Sequence, residues 1–141
     1  MTKPVRFILA TAVLVALFMV AASQVAFAGS PHFVEVTATR SGNTLTVSGK
    51  EAGLGNEDQV HIVVSATAQC INGGDKHPKA ANKQSVSAAG DFPVQNGKAN
   101  FTLSVTATFQ PNCSPPMTVA FTNVTVTDTT SGISRNLTGT F

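Results

Sequence analysis

Three histidines, seven carboxylates and two cysteines are the side chains of this chain best suited to acid–base, metal or redox chemistry. His32, His61 and His77 are scattered, and no two fall at the i, i+2 or i, i+4 spacing that places a pair of ligands on one strand or helix face. No Gly-x-Ser-x-Gly, His-Glu-x-x-His or phosphate-binding loop occurs. Nothing in the order of the carboxylates pairs two of them for proton transfer. The expectation is a protein without catalytic residues, without a metal centre and without a cofactor. Gly53 to Asp58 offers oxygen ligands after two glycines, a composition that suits Ca²⁺. It lacks the alternating acidic spacing of an EF-hand, so it reads as an ordinary polar strand connection.

Cys70 and Cys113 have a clearer chemistry. Lys3 and Arg6 precede a largely apolar run from Phe7 to Ala22, and Ala26-Phe27-Ala28 follows as an A-x-A cleavage site. These are the three parts of a secretory signal peptide, and the run is shorter than the ~20 residues a membrane span needs. The expected organisation is a leader over 1–28 and one domain over 29–141, with no membrane span after cleavage. Export places the cysteines in an oxidising compartment, extracellular or cell-envelope, where they are expected to pair. Removal of the leader takes two of the nine Lys and Arg, so the other seven balance the seven Asp and Glu. A neutral domain lacks the basic surface that nucleic-acid binding requires.

The elements that must position these residues are strands. Thr and Val make up about a quarter of the chain after Ala28, and both fit a pleated, half-buried surface. Val60, Ile62, Val64, Ala66 and Ala68 alternate with Gln59, His61, Ser65, Thr67 and Gln69, with Val63 the exception. Phe101, Leu103, Val105, Ala107 and Phe109 alternate with Asn100, Thr102, Ser104, Thr106 and Thr108. A period of two over ten residues marks a strand with one face buried. Shorter runs cover His32–Arg40, burying Val34, Val36 and Ala38, and Thr44–Lys50, burying Leu45 and Val47; Phe33 falls out of phase with its neighbours. Two more runs cover Gln84–Ala89 and Asp91–Gln95. From Met117 the phase begins with Val119 and Phe121 and slips to Val124 and Val126, which predicts a β-bulge near Thr122-Asn123. Ile133, Leu137 and Phe141 share a final face.

Ser41-Gly42-Asn43, Asn96-Gly97 and Thr130-Ser131-Gly132 suit tight turns, and Asn96-Gly97 suits type I′ best. Loops are expected over Glu51–Asp58, Ile71–Lys83 and Gln110–Pro116. Seven or eight antiparallel strands in one domain predict an all-β, immunoglobulin-like β-sandwich, with a small β-barrel or jelly roll as the alternative. With no Trp and no Tyr, the antibody subtype does not fit. Four Asn-x-Ser/Thr triplets, at Asn100, Asn112, Asn123 and Asn136, reflect a Thr- and Asn-rich surface.

The working surface is expected at the loop after the best strand. Asn72, Asp75, Lys76, His77, Lys79, Asn82 and Lys83 lie between Cys70 and Gln84. A loop of that length is uncommon unless it is functional or disordered. A Cys70–Cys113 bond would pin its base beside the proline-containing segment Gln110–Pro116, preorganising both. The expected role is a secreted, non-enzymatic binding or interaction module whose partner is a protein, a glycan or a small apolar molecule. Alternatives are a carrier of a small apolar ligand and a structural envelope component pairing through its edge strands.

The stretches Val47-Ser48-Gly49-Lys50-Glu51-Ala52-Gly53-Leu54 and Asn96-Gly97-Lys98-Ala99, with the chain's size and composition, resemble the secreted apoproteins that carry enediyne chromophores. That group has two disulfides where this chain can form one. No ligand-contact motif matches residue by residue, so the resemblance assigns no site.

Overall fold

In a computed structural model the described residues are 29–72 and 82–141; the leader expected over 1–28 lies outside them. Among the described residues seven strands form: β1 (His32–Ser41), β2 (Thr44–Ala52), β3 (Gln59–Ile71), β4 (Lys83–Pro93), β5 (Ala99–Thr106), β6 (Thr118–Asp128) and β7 (Ile133–Leu137). They make two antiparallel sheets, β1-β2-β5 and β4-β3-β6-β7, packed as an immunoglobulin-like sandwich. The seams are closed by contacts of β4 with β5 and of β1 with β7.

Alternation builds the core as the sequence requires. Leu45 and Val47 of one sheet meet Val60, Ile62, Val64, Phe121, Val124 and Val126 of the other, all fully buried. Side chains therefore fill the space between the sheets. Phe101 packs edge-on against Phe33 of its own sheet and Phe92 of the other, at centroid distances of 5.9 and 6.1 Å. Gly49 makes room for this group: a Cβ there would sit 2.5 Å from both the Phe101 ring and the Glu35 carbonyl oxygen.

Both strands that change phase do so through bulges. In β6 the pairing with β3 slips between Ser65 and Thr67, with Asn123 at φ 52°. This is the bulge expected near Thr122-Asn123, and it returns Val124 and Val126 to the core. In β1 the pairing slips between Phe33 and Glu35, leaving Val34 as the extra residue. Val34 is accordingly 47% exposed rather than buried, and Phe33 takes the inward position. The out-of-phase phenylalanine was itself the sign of this bulge.

Three other expectations are corrected. The runs on either side of Gly90 are one strand, β4, because Gly90 keeps the phase. A Cβ at Gly90 would meet the Leu103 side chain at 3.3 Å, so its smallness serves packing across the sheets. Asn96-Gly97, with φ of 53° and 69°, closes the Gln95–Lys98 bridge, but the chain then parts into different sheets. Glu51 belongs to β2, not to a loop, and is fully buried.

Candidate functional site

Cys70 and Cys113 are bonded, with Cα atoms 5.7 Å apart and a sequence separation of 43. Cys70 sits on the inward face near the end of β3, where its neighbours are buried apolar residues. Cys113 lies in the segment Gln110–Pro116, whose peptide bonds Gln110-Pro111 and Pro115-Pro116 are cis. Met117 Sδ approaches Cys70 Sγ at 3.7 Å; a disulfide sulfur has no proton, so this is packing. Buried Ala107 and Phe109 anchor the segment on one side, and Met117 N–H donates to the Ser114 carbonyl oxygen on the other, at 2.9 Å. Gln84 Nε2 donates to the Thr108 carbonyl oxygen at 2.9 Å, tying the start of β4 to the same place. Disulfide, apolar anchors and hydrogen bonds thus gather three chain segments at one end of the sandwich.

The residues named from sequence are divided by this geometry. Asn72, just beyond β3, is exposed; Asn82 is half-buried, and Lys83 opens β4 on the exposed face. Gln69 pairs with Lys83 across the two strands, so Asn72 and Lys83 flank the feet of the loop. Asp75, Lys76, His77 and Lys79 lie outside the described residues.

Register brings together groups that sequence spacing kept apart. On the outer face of β2 and β5, Thr44 meets Thr106 at 2.9 Å, Thr46 meets Ser104 at 2.9 Å and Ser48 meets Thr102 at 3.1 Å. The alternating hydroxyls were visible on both strands, but their pairing depends on which strand lies beside which. His61 and Asp91 face each other across β3 and β4, with His61 Nδ1 2.6 Å from Asp91 Oδ1. Both are well exposed, so water screens the pair and its worth to folding is small. His32 Nδ1 instead lies 2.7 Å from the Ser30 carbonyl oxygen. Among the described residues no three His, Cys, Asp or Glu side chains come together as metal ligands. The Gly53–Asp58 connection acts as a plug. Leu54 is buried, its N–H donates to the Gly97 carbonyl oxygen, and Glu57 and Asp58 stay exposed.

Among the described residues two carboxyls are hidden. Glu51 of β2 and Asp128 of β6 are both fully buried. Asp128 accepts the N–H groups of Thr130 at 2.8 Å and Ser131 at 3.2 Å, which shapes the β6–β7 turn. Glu51 has no donor to either oxygen. Burial first, then the nearby charge of Asp128, pushes the Glu51 carboxyl up from 4.5 to about 8. The β2 alternation Leu45, Val47, Gly49, Glu51 carried the signal that Glu51 points inward.

Fold and disulfide define the class as a small disulfide-bonded β-sandwich. Compared with family models, curated proteins and solved structures, the chain finds no match in any of the three. No helix among the described residues is long and apolar enough to cross a membrane.

Proposed function

We propose that this is an exported, non-enzymatic binding module that offers the disulfide-tied end of its sandwich to a protein or glycan partner outside the cytoplasm. The observation that carries this reading is the Cys70–Cys113 bond, which fastens the end of β3 to the segment Gln110–Pro116. Surface segments held on a rigid scaffold lose less conformational freedom on binding, so their contacts convert more fully into affinity. The side chains filling the space between the sheets support binding at the surface rather than in the interior. Lys76, Lys79 and Lys83 cluster in the sequence between Cys70 and Gln84.

The test starts from a partner captured out of the source culture fluid or envelope fraction with the disulfide-intact protein. Replacing Lys76, Lys79 and Lys83 together by Ala should weaken that complex at least tenfold and leave the melting temperature nearly unchanged. Exposed charges contribute little to folding but steer and hold partners. Reduction of the disulfide should weaken it too, at temperatures where the sandwich remains folded. Unchanged affinity in both the triple variant and the reduced protein would move the binding surface elsewhere.

A further inference from the structure

Each sheet contributes one buried carboxyl at the same end of the sandwich, and only one of the two has donors. In β2, Glu51 is opposite Phe33 of β1 and Ala99 of β5, both on the inward face. In β6, Asp128 is opposite Ile62 of β3 and Ile133 of β7. These four neighbours are apolar. The charged groups of the surrounding elements point elsewhere: His32 and Glu35 of β1, Lys98 before β5, Asp91 of β4, Arg135 of β7, and Glu57 and Asp58 of the β2–β3 connection are exposed. Lys50 alternates outward from Glu51, and His61 faces Asp91. Arg135 directs Nη1 to the Phe33 carbonyl oxygen at 3.2 Å.

A buried carboxylate with no donor is costly, and two carboxylates side by side in an apolar interior are costlier still. One proton removes both penalties. Asp128 already accepts two backbone N–H groups, whereas Glu51 accepts none, so the proton belongs on Glu51. We propose that Glu51 donates a shared proton to Asp128, and that this bond is an alkali-sensitive latch joining the two sheets and holding the β6–β7 turn. The turn matters beyond itself, because Thr130 Oγ1 accepts the His61 N–H at 2.9 Å and Thr129 N–H donates to the His61 carbonyl oxygen at 3.0 Å. Loss of the proton therefore loosens the start of β3 as well.

The sign of the pH dependence follows. The Glu51 carboxyl is raised from 4.5 to about 8, so between these values the unfolded chain has released a proton that the folded chain keeps. Its contribution to stability is greatest below about 4.5, falls as the pH rises to about 8 and is level beyond. Glu51→Gln should keep a donor toward Asp128 without the titration. Thermal unfolding from pH 5 to 9 should show the wild-type midpoint falling by about 5 °C or more relative to the Glu51→Gln variant, with the variant the more stable at the alkaline end. Parallel profiles would overturn the latch. A ¹³C titration of the Glu51 side-chain carboxyl in the wild-type protein needs no variant: a neutral carboxyl at pH 6 supports the proposal, and an ionised one overturns it. A Ca²⁺-dependent rise in the wild-type midpoint, lost in Glu51→Gln, would give these oxygens to a cation and overturn it equally.

Discussion

Adjacent residues of β5 show how completely side-chain direction decides consequence. Leu103 points inward and packs against the core, while Ser104 points outward and meets Thr46 at 2.9 Å. Leu103→Asp should abolish cooperative folding, because it sets a charge among Val, Phe and Leu side chains that offer it no partner. Ser104→Asp should cost less than about 1 kcal/mol, the worth of one exposed hydrogen bond. Urea unfolding of the two variants measures the difference; equal damage from both would mean that the strand has the opposite phase. Glu51 obeys the same alternation as Leu45 and Val47, yet the sequence Lys50-Glu51-Ala52-Gly53 reads as the start of a loop. Residue type misled there because charged side chains are rarely buried, and the strand period was the better guide.

At the scale of elements, strands were legible wherever one face is buried and the other wet, which is why β3 and β5 stand out. Irregularities were legible as breaks in that period. The Val119, Phe121, Val124, Val126 series announced the β6 bulge, and Phe33 beside Val34 announced the β1 bulge less plainly. Pairing was not legible, since alternation says which face is buried and nothing about the neighbouring strand. The hydroxyl pairs of β2 with β5, and His61 with Asp91, therefore had no signal at short range. The β6 bulge also yields a test of what an extra residue does. Asn123 has φ 52°, a conformation glycine adopts without penalty, so Asn123→Gly should change stability by no more than about 0.5 kcal/mol. Deleting Asn123 removes the slip and sends one half of the strand's apolar residues to the outer face. That deletion should cost more than about 3 kcal/mol in denaturant unfolding; a small effect would show that β6 can realign without its bulge.

For the whole molecule the question is what the disulfide adds to a sandwich that already has a continuous core. Cys70 and Cys113 are 43 positions apart in sequence, and the stretch between them includes β4 and β5 and runs from the end of β3 to just before its sheet neighbour β6. Holding those ends together in the unfolded chain removes loop-closure entropy worth about 4 kcal/mol. The native structure needs the bond much less, because Ala107, Phe109, Val119 and Phe121 are buried on their own account. Replacing Cys70 and Cys113 together by Ala should therefore leave a folded domain with an unchanged sheet arrangement. Its unfolding free energy should fall by about 4 kcal/mol, with most of the loss appearing through the expanded unfolded state. A larger denaturant m-value in the variant is the mark of that expansion, since more surface is then exposed on unfolding. Urea unfolding of the wild-type and variant proteins, followed by circular dichroism, reads both quantities. A variant that never folds would instead show that the sandwich cannot close over its core until the bond has brought β3 and β6 together.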